Sequence, residues 1–302
     1  MASKKVIVCI HGAGPKPDAV KLQGYWRDAM RQGIRRAEPK ALEAFEEVEI
    51  HQVYWAEHVA HLYEDYDVQL DEQQRVKVLE QLELLEKSKD FRRRRYDALP
   101  GKSTLKEFAM DTVAVAGVSR FVWPRVMPEA SAYWTENSLW PTKAKKELGD
   151  LLLELAASDK DVLLLSHCFG SVIAYDTLWQ TRLSNRLTRW ITLGSPLSSD
   201  YFRRRLLGST AQGRDRYPAN ILEWHNIAAE DDYVCHDKSV NNDFGEMLDH
   251  RLISDIRDYT IYNLAVRYGR SNPHHSAGYL AHPRTASLLA QWLSQDSLEM
   301  QE

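Results

Sequence analysis

The chain has 302 residues, of which 44% are hydrophobic and 27% are charged, and its net charge is -4 at pH 7. This balance is typical of a soluble globular protein and excludes both a disordered chain and a strongly basic nucleic-acid-binding surface. Cys9, Cys168 and Cys235 are too far apart in sequence for a Cys-x-x-Cys zinc site or a disulfide framework. The first apolar run ends at Ile10, too early for a signal peptide or membrane span. We therefore expect a cytoplasmic protein with no transmembrane segment, no metal or other cofactor, and no nucleic-acid partner.

The first predicted element is a strand, Val6 to Ile10, which leads into the glycine-rich turn His11-Gly12-Ala13-Gly14. A short, wholly apolar run is typical of a strand that is buried on both faces. No Gly-x-Gly-x-x-Gly or Gly-Lys-Ser/Thr pattern follows, so the turn does not match a phosphate-binding loop. A helix over residues 18–45 and a strand over Glu49 to Trp55 complete this part of the chain.

Residues 56–140 interrupt the alternation of strands and helices. This block contains a predicted polar helix, Tyr66 to Asp90, and an apolar segment, Phe108 to Met127. We interpret the block as a helical cap or lid that is inserted into a core made of residues 1–55 and 141–302. The alternative is a two-helix surface that binds another protein.

The most informative pattern follows a predicted helix over Thr142 to Ala157. The apolar run Val162 to Leu165 leads into Ser166-His167-Cys168-Phe169-Gly170, and apolar residues then recur at helical spacing. This pattern predicts a buried strand, a tight turn and a helix, with Cys168 at the apex of the turn. Small residues are needed two positions before and two positions after the apex, because the strand and helix backbones pass close together there.

This turn resembles the nucleophile elbow of the α/β-hydrolases, Gly-x-Ser-x-Gly, with Ser166 at the first glycine and Cys168 at the nucleophilic serine. A cysteine at this position is similar to the dienelactone hydrolases and polyhydroxyalkanoate synthases, whereas the flanking residues resemble lipases and esterases. The resemblance implies a three-layer α/β-hydrolase fold with a mostly parallel central sheet and a helical cap. It also implies that Cys168 is a nucleophile and not a buried structural thiol.

The turn after the first strand resembles the oxyanion loop of the same family. The resemblance implies that the backbone N–H of Ala13 or Gly14, together with that of Phe169, stabilises the oxyanion. Residues that the resemblance places in the substrate-binding site are His11, Gly12 and His167.

In this family the acid follows the nucleophile along the chain, and the base follows the acid. Further strands are predicted over Leu187 to Leu193 and Ile221 to Ile227, and Asp231 and Asp232 follow the second of these. Acidic residues after a late strand lie at the active-site edge of a parallel sheet. Asp232-Tyr233-Val234 resembles the family's acid, so we prefer Asp232 and keep Asp231 as the alternative.

The last predicted strand is Tyr259 to Val266, and the last predicted helix is Pro283 to Leu293. The catalytic histidine of the family lies between these two elements. His274 and His275 are both candidates, and His274 is slightly preferred.

These residues imply an acyl hydrolase that cleaves a carboxylic ester or thioester through a covalent acyl-enzyme, with Cys168 native or as a Ser→Cys variant of a serine hydrolase. One alternative is an acyltransferase that uses the same thioester intermediate, and another is a non-catalytic binding protein on the same fold. The expected partner is a small acyl ester or thioester, and the composition of the insertion favours an apolar acyl chain. The sequence does not determine the oligomeric state.

Overall fold

A computed structural model of the protein describes residues 5–63, 67–101, 127–158, 160–181, 183 and 187–295. Its centre is a six-stranded sheet with the order β2-β1-β3-β4-β5-β6, in which every neighbouring pair is parallel. The strands are β1 (Lys5–Ile10), β2 (Glu49–Val53), β3 (Asp161–His167), β4 (Leu187–Leu193), β5 (Ile221–Ala229) and β6 (Asp255–Ile261). A separate antiparallel hairpin consists of β7 (Val266–Arg267) and β8 (Arg270–Ser271).

Helices precede, separate and follow the strands. The α-helices of the described ranges are α1 (Ala19–Ala37), α2 (Leu42–Glu46), α3 (Val68–Glu83), α4 (Arg93–Asp97), α5 (Pro128–Tyr133), α6 (Trp140–Ala157), α7 (Gly170–Gln180), α8 (Asp200–Arg203), α9 (Val240–Phe244), α10 (Glu246–Asp249), α11 (Ser276–Leu280) and α12 (Pro283–Ser294). Short 3-10 segments occupy Pro39–Ala41, Ala56–Leu62, Ser88–Asp90 and Gly213–Arg216. No helix in these ranges combines the length and the hydropathy that crossing a membrane requires.

The sheet has a hydrophobic core on each face, because its strands are apolar on both sides. In β1, Val6, Val8 and Ile10 belong to one core, and Ile7 and Cys9 belong to the other. Helices α6 and α7 pack together on the first face, and α1 packs against α11 and α12 on the second. The predicted α/β class, with a parallel central sheet between two helical layers, is therefore confirmed.

Three predicted elements have clearly different boundaries in the structure. The helix predicted over Tyr66 to Asp90 ends earlier, because α3 stops at Glu83 and a separate 3-10 segment covers Ser88–Asp90. The helix predicted over residues 18–45 is divided, because α1 ends at Ala37 and Pro39 starts a 3-10 turn that leads into α2. Proline disfavours helical backbone in the residue before it, which explains the break. The strand predicted over Tyr259 to Val266 corresponds to β6, which begins and ends earlier in the chain. After it, the Asn263 side chain accepts a hydrogen bond from the Ala265 N–H at 3.0 Å. That local turn ends the strand.

The described residues of the 56–140 insertion are largely helical and pack directly on the rest of the chain. Val78, Leu82 and Tyr96 belong to the core that contains α1, whereas Val59 and Tyr133 belong to the core that contains α7. The apolar segment predicted over Phe108 to Met127 lies outside the described residues, except for its last position. The role of the insertion as a lid over a site remains a prediction.

The strand order changes direction between β1 and β3, since β2 lies on one side of β1 and all later strands lie on the other. In open parallel sheets the ligand crevice lies at the carboxyl ends of the strands at such a switch point. The chain leaves β1 at His11 and leaves β3 at Cys168. The two predicted site motifs therefore lie side by side at this edge of the sheet.

Candidate active site

Cys168 lies in the turn between β3 and α7 and has left-handed backbone, with a φ of 52°. For a residue with a Cβ atom this region costs on the order of 1–3 kcal/mol, and such residues are concentrated at functional sites. The turn is held in place by the Cys168 N–H, which donates to the Leu193 carbonyl at 2.9 Å. Cys168 is 2% exposed. The predicted strand, turn and helix are thus present with a strained cysteine at the apex.

The turn requires two glycines because backbones approach each other closely around Cys168. A Cβ atom at Gly12 would lie 2.4 Å from the Cys168 Cβ, and one at Gly170 would lie 2.4 Å from the His11 carbonyl oxygen. Ser166, at the position of the first glycine, is fully buried, and its hydroxyl accepts a hydrogen bond from Trp190 Nε1 at 2.9 Å. Serine fits at this position because it is small and its polar atom has a partner in the core.

Asp232 and His274, the predicted acid and base, form a hydrogen-bonded pair. His274 Nδ1 lies 2.8 Å from Asp232 Oδ2 and 3.0 Å from Oδ1. Asp232 is 2% exposed and accepts two further hydrogen bonds, from the Tyr279 hydroxyl at 2.6 Å and from the Val234 N–H at 3.0 Å. A buried carboxylate with this many donors is a fixed negative charge beside the imidazole.

The environment of His274 favours the protonated ring. Burial lowers the pKa of His274, but the charge of Asp232 and then that of Cys168, with hydrogen bonds from the ring to both, raise it well above its usual value. Because Nδ1 donates to Asp232, Nε2 is the nitrogen that can exchange a proton with the thiol. The structure therefore brings the side chains of Cys168, His274 and Asp232 together in one hydrogen-bonded group.

The backbone of the loop that carries His274 is held by two buried side chains. His167 Nε2 donates to the His274 carbonyl at 2.9 Å, and the Asn263 amide donates to the carbonyls of Pro273 at 2.8 Å and His275 at 3.0 Å. Burial, followed by the charge of His274, lowers the pKa of His167 well below its usual value, so this ring is a neutral donor. His167, predicted to bind substrate, thus holds the backbone of the loop that carries His274.

The alternative acid and the alternative base lie in local turns. Asp231 has a φ of 59°, and its Oδ2 accepts a hydrogen bond from the Tyr96 hydroxyl at 3.0 Å. His275 Nδ1 accepts the Ala277 N–H at 3.2 Å and thereby caps α11. Burial lowers the pKa of His275 well below its usual value, opposite to the shift at His274.

The predicted oxyanion donors have different partners. The Gly14 N–H donates to Glu129 Oε1 at 2.7 Å and is therefore already engaged. Within the ranges that the structure describes, the N–H groups of Ala13 and Phe169 donate to no protein acceptor. These two N–H groups follow β1 and β3 at the switch point and are the pair that can receive an oxyanion.

His11 is a structural part of its loop. The ring is fully buried and stacks on Trp55 with a centroid distance of 4.8 Å. Its Nδ1 lies 2.9 Å from the Gly12 carbonyl, and its Nε2 accepts the Trp55 N–H at 3.2 Å. Both ring nitrogens therefore have partners in the protein, and the ring leaves no polar atom for the predicted contact with substrate.

Several residues of the site were not predicted from the sequence. Glu129 is fully buried and accepts hydrogen bonds from the Gly14 N–H and the Tyr63 hydroxyl, the latter at 2.6 Å. Lys16 Nζ donates to the carbonyls of Ala13 at 2.6 Å and Gly14 at 2.7 Å. Burial, followed by the charge of a neighbouring arginine, lowers the pKa of Lys16 to about 7. No motif marks these residues, because their partners are distant in sequence or belong to the backbone.

One group of side chains within the described ranges has the composition of a metal site, namely Glu57, His58 and Glu147. His58 Nε2 lies 2.6 Å from Glu147 Oε1, so the ring already has a partner, and both carboxylates are exposed. Exposed acidic groups with a neighbouring histidine are common on protein surfaces, and no second feature points to an ion here.

No protein-family profile matches this chain, and no curated protein is significantly similar to it in sequence. The geometry of the site combines a strained cysteine, a histidine and a buried aspartate at the switch point of a parallel sheet.

Proposed function

We propose that the protein is an α/β-hydrolase that cleaves carboxylic esters or thioesters through a covalent acyl-enzyme on Cys168. The proposal depends on one observation: His274, hydrogen-bonded to Asp232 at 2.8 Å, shares its site with a cysteine in left-handed backbone. A nucleophile, a base and an acid that orients the base are the groups that nucleophilic acyl transfer requires.

The topology supports the same proposal. Cys168 follows β3, Asp232 follows β5, and His274 follows β6 and the β7–β8 hairpin. The proposed chain order is therefore nucleophile, acid and base. This is the order found in α/β-hydrolases, and it differs from the orders of the other serine-hydrolase folds. All the strands involved are parallel, which brings their carboxyl ends to one edge of the sheet.

In the first half of the reaction, His274 Nε2 holds the proton that it has taken from Cys168, and the Sγ thiolate forms a bond to the carbonyl carbon. The tetrahedral intermediate then breaks its bond to the leaving oxygen or sulfur, which takes the proton from His274. In the second half, His274 accepts a proton from water, the hydroxide adds to the thioester, and the acid product leaves as Sγ recovers the proton. Asp232 holds the imidazole in the required tautomer and stabilises its charged form throughout.

The oxyanion forms in both halves, and the N–H groups of Ala13 and Phe169 are its proposed donors. Each donor of this kind contributes on the order of 3 kcal/mol to transition-state stabilisation. Glu129 holds the Gly14 N–H, and Lys16 holds the carbonyls of Ala13 and Gly14, directly after the Ala13 N–H. They therefore fix the conformation of the loop that presents this N–H.

The proposal is tested with p-nitrophenyl esters and thioesters of increasing acyl length, followed by mass spectrometry of the intact protein. We expect turnover, and a mass increase equal to one acyl group that maps to Cys168. Cys9 is the internal control, because it is fully buried in β1 and should remain unmodified. A folded Cys168→Ala variant that retains full turnover would contradict the proposal.

Acyl transfer to an acceptor other than water is a second candidate, and the packing around the nucleophile supports it. Phe169 is fully buried, and its ring contacts Tyr133, Trp134 and Trp140 at centroid distances of 5.2, 6.2 and 6.3 Å. An aromatic surrounding of this kind favours exclusion of water from an acyl-enzyme. Added alcohols or amines would then raise the rate of p-nitrophenol release and appear in the acylated product.

The Cys168→Ser variant shows whether the site suits an oxygen nucleophile or requires a sulfur nucleophile. Sulfur is larger than oxygen, and a displacement of about 1 Å can reduce a rate on the order of a hundredfold. If the remaining groups suit an oxygen nucleophile, Cys168→Ser will hydrolyse simple esters at least as fast as the parent. A folded variant that is inactive on every substrate of the parent would show that the site requires sulfur.

A further inference from the structure

The hairpin that precedes the loop of His274 carries two arginines in an unfavourable arrangement. Arg267 of β7 and Arg270 of β8 are directly opposite each other in the register. Tyr268 and Gly269 between them both have left-handed backbone, with φ values of 52° and 71°, as a tight two-residue turn requires. Like charges at directly opposed positions destabilise a strand pair, so a negative group between them would relieve the repulsion.

A cavity of about 550 Å³ opens beside this hairpin. Its volume lies in the range of small-molecule sites. The cavity is lined by Tyr233, Arg267, Tyr268, Arg270, Ser271 and Asn272. Apart from Tyr233, all the lining residues come from the hairpin and its continuation towards His274.

Polar atoms in the lining lack protein partners. Within the described part of the chain, Arg267 Nε and Ser271 Oγ are buried and have no hydrogen-bond partner, and Ser271 as a whole is 3% exposed. Arg267 also contacts Asp71 through its terminal nitrogen, whereas no described carboxylate pairs with the exposed Arg270. Buried donors normally have acceptors, and a guanidinium is suited to the two oxygens of a carboxylate or phosphate.

The cavity adjoins the proposed triad through Tyr233. This residue follows Asp232 in the chain, and its ring centroid lies 6.3 Å from that of His274. Burial lowers the pKa of Lys16 and of His275, and the positive charges of Arg75 and Arg267 lower both further, so several basic groups act on the same edge of the sheet. A ligand held by the two hairpin arginines would therefore extend towards the reacting groups.

We propose that this cavity binds a carboxylate or phosphate group of the substrate, so that the enzyme acts on anionic esters or thioesters. The inference rests on the proposed function and narrows its substrate class. It replaces the expectation of a purely apolar acyl chain with an acyl or leaving group that ends in an oxyanion.

The first experiment compares two substrates of equal acyl length, p-nitrophenyl hydrogen glutarate and p-nitrophenyl pentanoate. We expect kcat/KM of the parent to favour the glutarate ester by roughly ten- to a hundredfold, as a charge-assisted hydrogen bond predicts. Arg270→Gln should lose most of this preference, and Arg270→Lys should retain part of it. Arg214→Gln, at an exposed arginine of another surface segment, is the matched control and should keep the parent's preference.

The second experiment measures binding of free glutarate and inorganic phosphate by calorimetry, independently of turnover. The tighter ligand shows whether the natural group is a carboxylate or a phosphate, and its binding should weaken at least tenfold in Arg270→Gln. Hydrolysis of the pentanoate ester without a glutarate preference, and without binding of either anion, would overturn the inference while the proposed function stands. Anion binding that depends on Arg270 in a protein that hydrolyses no ester would support the anion site and overturn the proposed function.

Discussion

The acid loop, residues 230–234, and the base loop, residues 272–276, each contain two identical neighbouring side chains, of which one enters the candidate site. In the acid loop the side chain itself is held, because Asp232 accepts hydrogen bonds from Tyr279 and Val234 in addition to His274. In the base loop the backbone is held, because His167 and Asn263 bind its carbonyl groups.

This difference matches the chemistry that each loop would perform. The acid must remain a fixed charge in one orientation, so its carboxylate oxygens carry the restraints. The base must exchange a proton between sulfur, the leaving group and water, so only its Nδ1 is tied and Nε2 stays available. Substitutions in the two neighbouring pairs and at Tyr279 therefore distinguish the two kinds of restraint.

The largest effect is expected in the base loop. His274→Asn should reduce kcat by about 10⁴- to 10⁶-fold, because it removes the group that accepts the thiol proton. His275→Asn is the matched control, since asparagine can still cap α11, and its kcat should stay within a fewfold of the parent. Steady-state hydrolysis of one p-nitrophenyl ester by both variants provides the measurement, and equal losses would remove the distinction between the two histidines.

In the acid loop, Asp232→Asn should lower kcat by about 10³- to 10⁴-fold, because the imidazole loses control of its tautomer. Asp231→Asn should have little effect, since Asp231 accepts its hydrogen bond from Tyr96 in a local turn. Thermal unfolding of both variants shows whether the fold is retained. If kcat falls severely in Asp231→Asn and stays at the parent's value in Asp232→Asn, Asp231 is the acid and our choice is wrong.

Tyr279→Phe tests whether the restraint on the acid matters for turnover. The change removes the hydroxyl that donates to Asp232 at 2.6 Å, and a hydrogen bond to a charged group contributes about 1.5–3 kcal/mol. We expect kcat to fall about tenfold with little change in KM, and the acidic limb of the pH profile to move. The control is Tyr259→Phe, which alters a tyrosine that contacts His225. Its kcat and its pH profile should be nearly the same as those of the parent. An unchanged pH profile in Tyr279→Phe would indicate a purely structural role.

The smallest effect concerns the pH dependence of stability. Burial lowers the pKa of His275, so below about pH 6.5 the unfolded chain binds a proton that the folded protein does not. Stability therefore falls as the pH decreases from about 6.5, by about 1.4 kcal/mol per pH unit for this residue. In His275→Asn the free energy of unfolding, measured with urea between pH 6.5 and 5, should fall less steeply than in the parent.

Other buried histidines contribute in the same direction, but they are present in both proteins. The pKa values of His11, His167 and His282 are also lowered by burial, that of His282 to about 3. Their contribution cancels in the difference between parent and variant. Identical slopes for the two proteins would mean that His275 is charged, or equally solvated, in the folded state.

The local features of the candidate site could be predicted from the sequence. The turn around Cys168 is encoded by an apolar strand, two small residues and a helical repeat, all within about fifteen positions. The order of acid and base along the chain followed from the resemblance to α/β-hydrolases. The sequence alone left both neighbouring pairs open, because adjacent residues of the same type are equivalent in composition and differ only in backbone conformation.

The sequence by itself determined the α/β class, the parallel sheet and the position of the candidate nucleophile, because these depend on short-range patterns of apolar and small residues. Only the tertiary structure decided which carboxylate meets which imidazole, since that contact joins residues 42 positions apart. It also brought Glu129 to the Gly14 N–H across 115 positions and Tyr279 to Asp232 across 47. Buried polar atoms must find partners wherever the fold places them, and a linear pattern does not specify that geometry.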